Sequence, residues 1–256
     1  MTLNSPRDVR EQYKDSSNLA ARAALHTRFS VNPYGWNQWV FDHIDVSDSA
    51  RILEVGCGPG YLWRTNAGRV GPGWCVVATD LSVGMAAEMR AAIDDARFAF
   101  GVADAQDLPF ADGTFQLVVA NHMLYHVSDL DRGLREFARV LAPGGQLFAA
   151  TNGQRHTVEI REAIGGEWSY LRTFGLEDGP GEVAKHFDEV SVERYEDAFD
   201  VTEVEPVLDY VRSMSSFPMG DGGALENLRR RATEAIEKEG VFRIQKDAGL
   251  IIGTRP

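Results

Sequence analysis

Between Arg51 and Gly60 the chain reads Arg-Ile-Leu-Glu-Val-Gly-Cys-Gly-Pro-Gly, a short apolar run with an acid near its end and then glycine at every second position. The run suits a buried strand, and the glycines suit a backbone that turns sharply beneath a ligand. Glycine is needed there because a Cβ would block the turn and hold a ligand off the main chain. The segment therefore reads as a loop for a nucleotide-type cofactor. Its spacing excludes the dinucleotide fingerprint G-x-G-x-x-G, which requires glycine at position 61, where this chain has Tyr61.

The same rhythm continues to about residue 151. Short apolar runs at 52–55, 75–79, 98–102, 115–120 and 146–151 alternate with amphipathic stretches at 61–70, 83–96 and 128–141, the pattern of an α/β domain on a parallel sheet. In the last stretch Leu130, Leu134, Phe137 and Leu141 share a face, Ser128 or Asp129 can cap the start, and Pro143-Gly144-Gly145 stops it. Ahead of this core, 19–29 and 37–44 are expected to be aromatic-rich helices, separated by Asn32-Pro33-Tyr34-Gly35-Trp36. Behind it the sequence predicts helices at 158–174, 203–215 and 224–240, a Gly/Pro break at 179–181, a strand at 190–199 and a hairpin-like final strand at 241–253. The expected organisation is a helical cap, 1–48, a cofactor-binding core, 49–152, and a C-terminal part, 153–256, with lid helices and final strands that complete the same sheet.

At 256 residues with 44% apolar content, the chain can bury the core of one enzyme-sized unit. Its net charge is −12, and between Glu177 and Glu205 only Lys185 and Arg194 oppose a series of acids. Such a surface repels a phosphate backbone, so no nucleic-acid partner is expected. Arg229-Arg230-Arg231 lies among Glu226, Glu234, Glu237 and Glu239 and reads as a solvated helix face. No apolar run approaches the roughly 20 residues that cross a bilayer, and the polar N-terminus lacks a signal peptide's apolar centre. A cytoplasmic protein without a membrane partner is the expectation. Cys57 and Cys75 form neither a disulfide framework nor a metal cluster and read as small buried residues.

Further motifs follow the glycine loop in order. Asp80 ends the second strand about 20 residues after Gly60, where a carboxylate can accept from both hydroxyls of a ribose or can cap the next helix. Then come Ala103-Asp104-Ala105-Gln106-Asp107-Leu108-Pro109-Phe110, Asp112-Gly113-Thr114-Phe115 and Leu141-Ala142-Pro143-Gly144-Gly145. Together with Glu54 and G-x-G-x-G, these elements resemble the class I S-adenosylmethionine-dependent methyltransferases of small-molecule type. The resemblance spans about 51–151, and its one departure is Ala142, where the family's turn usually has lysine.

The resemblance implies a Rossmann-like fold with a seven-stranded, mostly parallel sheet and a C-terminal antiparallel strand, N-terminal helices and a helical lid insertion. It also implies S-adenosylmethionine as cofactor, with S-adenosylhomocysteine as product. Gly56, Cys57, Gly58 and Gly60 would hold the amino-acid tail, with Glu54 adding attraction for the cationic donor. Asp80 would take the ribose, Leu81 and Met85 would flank the adenine, and Asp104 and Ala105 would read its edge. Asn121 and His122, delivered by strand four, would lie beside the methionine portion, with Tyr13 and Arg28 closing over it.

Methyl transfer by such a site is an in-line displacement, for which the protein holds the acceptor collinear with the S–CH3 bond and excludes water. His122 stands where a general base would act if the acceptor must lose a proton, or it forms a wall of the site. His126, four residues on, has the spacing of a metal pair but no third ligand nearby, so no metal is expected. Tyr13, Phe29, Tyr34, Trp36, Trp39, Trp168, Tyr170, Phe174, Phe217 and Met219 supply candidate walls for a small, partly apolar acceptor with an O, N or C nucleophile. The loop at Gly220–Gly223 suits a mobile lid. Two other readings stay open: a non-catalytic donor-binding member of the fold, and a nicotinamide-dependent oxidoreductase, which Tyr61 disfavours.

Overall fold

The computed structural model describes residues 6–164, 174–214 and 223–256. Seven strands, β1 (Arg51–Val55), β2 (Cys75–Asp80), β3 (Phe98–Val102), β4 (Phe115–Asn121), β5 (Leu141–Asn152), β6 (Asp188–Val201) and β7 (Phe242–Thr254), form one sheet in the order β3-β2-β1-β4-β5-β7-β6. β1 to β5 run parallel, and β7 lies antiparallel between β5 and β6. The chain builds outward from β1 to β3 and then returns to place β4 on the other side of β1. This reversal opens a crevice at the carboxyl ends of β1 and β4, where open α/β sheets take their ligands.

Helices cover both faces because the strands are apolar on both. On one side Leu53, Val55, Val118, Ala120, Leu147 and Ala149 pack with Leu134 and Phe137 of α6 (Leu130–Val140). On the other, Ile52, Val76, Ala78, Leu117, Val119 and Phe148 meet residues of α3 (Trp36–Asp42), α4 (Tyr61–Thr65) and α5 (Val83–Ala92). A third apolar cluster joins α2 (Ser17–Phe29), α7 (Val158–Ile164), α9 (Val204–Arg212) and α10 (Gly223–Glu239) to the ends of β6 and β7. It holds the N-terminal and C-terminal helices together above the sheet.

The parallel core follows the sequence closely, and the departures have local causes. The helix expected at 61–70 stops at Thr65, because the Asn66 side chain donates to the carbonyls of Leu62 and Asn37 and turns the chain into a 3-10 turn, Ala67–Arg69. Pro143-Gly144-Gly145 does not precede β5 but lies within it as an irregularity, with Gly144 at φ +75° and a register shift against β4 between Phe115 and Leu117. The final segment is one 13-residue strand rather than a hairpin, since β7 pairs along both edges. Cys75 is exposed at the start of β2, contrary to its expected burial, while Cys57 is buried. Two short helices, α1 (Pro6–Gln12) and α8 (Gly179–Val183), were not expected, the second forming where Gly179-Pro180-Gly181 reads as a break. The helix expected at 158–174 is seen to Ile164, beyond which residues 165–173 lie outside the description. Among the described residues no helix is long and apolar enough to cross a membrane.

Candidate active site

The crevice floor is made of backbone. Gly56, Gly58 and Gly60 have φ of +71°, +53° and +78°, a region that strains other residues. A Cβ on Gly56 would stand 2.7 Å from Cβ of Met123, and one on Gly60 would stand 2.8 Å from Cγ of Met89. Asp80 is fastened from both sides: the Gly58 amide donates to Oδ2 at 2.9 Å and the Ser82 amide to Oδ1 at 2.8 Å. The cap of α5 is Ser82, whose hydroxyl accepts from the Met85 amide, so Asp80 does not have that task. An ionised carboxylate has about four acceptor sites, and the two amides leave Asp80 the capacity to take a diol.

Beyond β3, Asp104 Oδ1 accepts from the Gln106 amide at 2.9 Å and from its side chain at 3.0 Å, which fixes the carboxylate at the rim. Ala105 beside it is buried, as is Met85, while Leu81 is half-buried. Asn121 closes β4, and its Oδ1 accepts from the Trp36 indole at 3.2 Å. His122 follows with φ +57°, an uncommon conformation for a side-chain-bearing residue. Its amide donates to the Ala150 carbonyl, and its ring lies 4.9 Å from that of Trp36. Glu54 is only 2% exposed, and its Oε2 accepts from the Trp63 indole at 2.6 Å. Burial pushes its pKa up to about 8 against that hydrogen bond, with the Asp80 charge adding to the rise.

Residues 53–149 match the family model of the methyltransferase domain. This part of the chain is similar to a methyltransferase domain. The chain is 36% identical over 124 residues to methyltransferase GfsG of Streptomyces halstedii, covering 47% of this chain and 44% of that protein. It is 40% identical over 112 residues to a demethylmenaquinone methyltransferase of Mycolicibacterium vanbaalenii, covering 44% and 46%. The matches thus span about half the length of these curated relatives. At the level of fold, the whole chain superposes on a Haemonchus contortus phosphoethanolamine N-methyltransferase solved with S-adenosylhomocysteine, with a TM-score of 0.61, 22% identity, and coverage of 100% of this chain and 60% of that one.

The matched segment is roofed by groups from outside it. The carbonyl of Lys14 lies so close to Gly84 that a Cβ there would meet it at 2.1 Å, and the Ser16 amide donates to Glu88 Oε1 at 3.1 Å. One turn into α2, Leu19 Cδ1 lies 3.7 Å from where a Cβ on Gly58 would be. Tyr13 joins this roof to the turn after β4, its hydroxyl 2.9 Å from His126 Nε2 and accepting from Arg22 at 3.1 Å. Arg28 does not join them: it forms an exposed ion pair with Glu203 at 2.5 Å. Two residues past His26 on a helix is a rotation of about 200°, which carries Arg28 to the opposite face.

Further along the inner face, the His26 ring meets Phe199 edge-on at 4.8 Å. Burial, then the charge of Lys246 and the neighbourhood of His122, drive its pKa down to about 3, so it is neutral near pH 7. Lys246 and Asp197 form a cross-strand ion pair with side chains 3% and 0% exposed. Lys246 also donates to Ser30 at 2.9 Å and lies over the rings of Tyr195 and Phe199. Trp36 and Trp39 each stand 5.3 Å from the Tyr195 ring.

Among the expected aromatic walls, Phe29 and Phe174 are core residues, and Tyr34 is exposed with its hydroxyl bonded to Asp42. Trp168, Tyr170, Phe217, Met219 and the loop at 220–222 lie outside the described residues. Sequence reading missed Arg22, His26, Tyr195, Asp197 and Lys246. The first two had a signal, since Leu19, Arg22 and His26 follow the i, i+3, i+7 spacing of one helix face, amid alanines. Among the described residues no three His, Cys, Asp or Glu side chains are grouped to hold a metal.

Proposed function

We propose that this chain transfers a methyl group from S-adenosylmethionine to an O, N or C nucleophile of a small, partly apolar metabolite by in-line displacement. The observation that carries this reading is the Asp80 carboxylate, pinned by the amides of Gly58 and Ser82 at the mouth of the crevice. When bound, S-adenosylmethionine supplies a methyl group on a sulfonium, already a good leaving group. Asp80 holds the ribose, Asp104 and Ala105 read the adenine edge, and Leu81 and Met85 pack on the ring. Gly56, Cys57, Gly58 and Gly60 offer backbone groups to the amino-acid tail. Asn121, oriented by Trp36, and His122 stand on the methyl side, and Tyr13 closes the roof over the tail. The buried carboxyl of Glu54 acts through Trp63 and the loop rather than by contact.

The cap at 1–48 and the C-terminal part at 153–256 shape the acceptor side and keep water out. Where the acceptor must lose a proton, His122 takes it, its strained backbone fixing the ring at the end of β4. We place the reaction in the cytoplasm, on a free metabolite rather than a nucleic acid or membrane, in keeping with the acidic surface. Calorimetric titration with S-adenosylhomocysteine, and then label transfer from methyl-labelled donor into pools of small metabolites, test the reading. Absence of donor binding would sink it, whereas donor binding without transfer to any acceptor would favour a binding module on the same fold.

A further inference from the structure

Among the described residues Arg22 is a cation without an anion. Its guanidinium donates to three neutral oxygens: the Tyr13 hydroxyl at 3.1 Å, the Ser213 hydroxyl at 3.2 Å and the Ser213 carbonyl at 2.6 Å. It also lies over the Tyr13 ring, 5.6 Å from the centroid. Among the described residues it has no carboxylate partner, whereas Arg97, Arg139 and Lys246 all face one. A guanidinium stays charged in proteins, and withdrawing that charge from water is unfavourable unless an anion answers it. Each of the three nitrogens makes one of these bonds, so of the five N–H groups one on each terminal nitrogen remains, the fork that matches an oxyanion.

The position of the fork says which molecule would answer it. Leu19, an apolar side chain, covers the glycine loop. Arg22 is one turn further along α2, about 4.5 Å on, and its bonds run to the end of α9 and to Tyr13. We propose that Arg22, with Tyr13 and Ser213, seats an oxyanion of the methyl acceptor, so that the substrate is a carboxylate or phosphate ester with an apolar body. This rests on the methyltransferase reading of the site and narrows its acceptor. Docking such a group draws α2 and α9 together over the crevice, coupling acceptor binding to exclusion of water.

The test is calorimetry on the full chain saturated with S-adenosylhomocysteine, with inorganic phosphate and benzoate as probes. At least one probe binds the wild type, and Arg22→Gln weakens it about tenfold or more while the affinity for S-adenosylhomocysteine stays within about threefold. Arg22→Lys keeps the charge but not the fork, and gives an intermediate loss. Equal probe affinity in wild type and both variants, or no probe binding to the wild type, would overturn the proposal. So would a fall in S-adenosylhomocysteine affinity with probe binding unchanged, which assigns the seat to the donor's own carboxylate. Failure of S-adenosylhomocysteine to bind the wild type breaks the underlying reading instead, and the probes are then titrated into the donor-free protein under the same criteria.

Discussion

The two sides of the cleft are built from different materials. The side formed by β1, β2 and β3 is backbone and carboxylate: three glycines at positive φ, and Asp80 and Asp104 fixed by amides within a few residues or one strand away. The facing side is a mosaic of long side chains from α2, α3, α9, β6 and β7, tied together by Tyr13, Arg22, Trp36 and Lys246. A ligand held by backbone geometry can be kept through large changes of sequence, provided the glycines stay. A ligand held by side chains from five elements can be exchanged one substitution at a time. The first arrangement suits a shared cofactor and the second a variable substrate.

The contrast can be broken most forcefully on the mosaic side. Lys246→Met leaves Asp197 buried without its partner and should lower stability by about 4 kcal/mol in urea denaturation. Adding Asp197→Leu should recover much of that loss, and a double variant as unstable as the single would show that the pair is not what binds β6 to β7 here. Next in size is the pH response of Glu54. Its folded pKa of about 8 lies above the 4.5 of an exposed glutamate, so the folded chain holds the proton more tightly. That stabilisation is complete below pH 4.5 and is lost as pH rises through about 8, with roughly 3 to 4 kcal/mol of it going between pH 5 and 8. Glu54→Gln should flatten this slope in denaturation curves taken from pH 5 to 8; an unchanged slope would mean that another group carries it.

On the donor side, Asp80→Ala should weaken S-adenosylhomocysteine binding by about 2 kcal/mol, roughly thirtyfold, without unfolding the chain. Unchanged affinity in calorimetry would remove the ribose assignment. The smallest effect tests the seam between the two sides. Trp36→Phe removes one hydrogen bond to Asn121 and should reduce donor affinity by about 1 kcal/mol or less. A larger loss would show that the donor, too, depends on the mosaic.

The same contrast explains what could be read from the sequence. The glycine loop, Asp80 and the Asp104 loop are short-range signals, each legible within ten residues or so, and the strands between them have buried apolar patterns. The opposite side has no such locality. Tyr13 meets His126 across 113 residues, Arg22 meets Ser213 across 191, and Lys246 meets Ser30 across 216. Nothing near Arg28 distinguishes it from Arg22 except helical phase, and the phase of α2 is set by Leu25 and Phe29 packing with α7, α9 and α10. Lys246 and Asp197 read as surface charges in any window of their own strands, and only the cross-strand register of β6 and β7 buries them.

β6 has a consequence of another kind. As the last strand of the sheet it leaves, among the described residues, an unpaired edge along its first half, while Ser30 and Val31 cover part of the remainder. An open edge invites a neighbour's strand, but this one carries exposed Asp188, Glu189, Glu193 and Glu196, with Glu189 at φ +50° beside an interruption of the ladder. Two molecules meeting edge to edge would bring acids face to face, so the chain should tolerate crowding in dilute buffer and self-associate more readily when salt masks those charges.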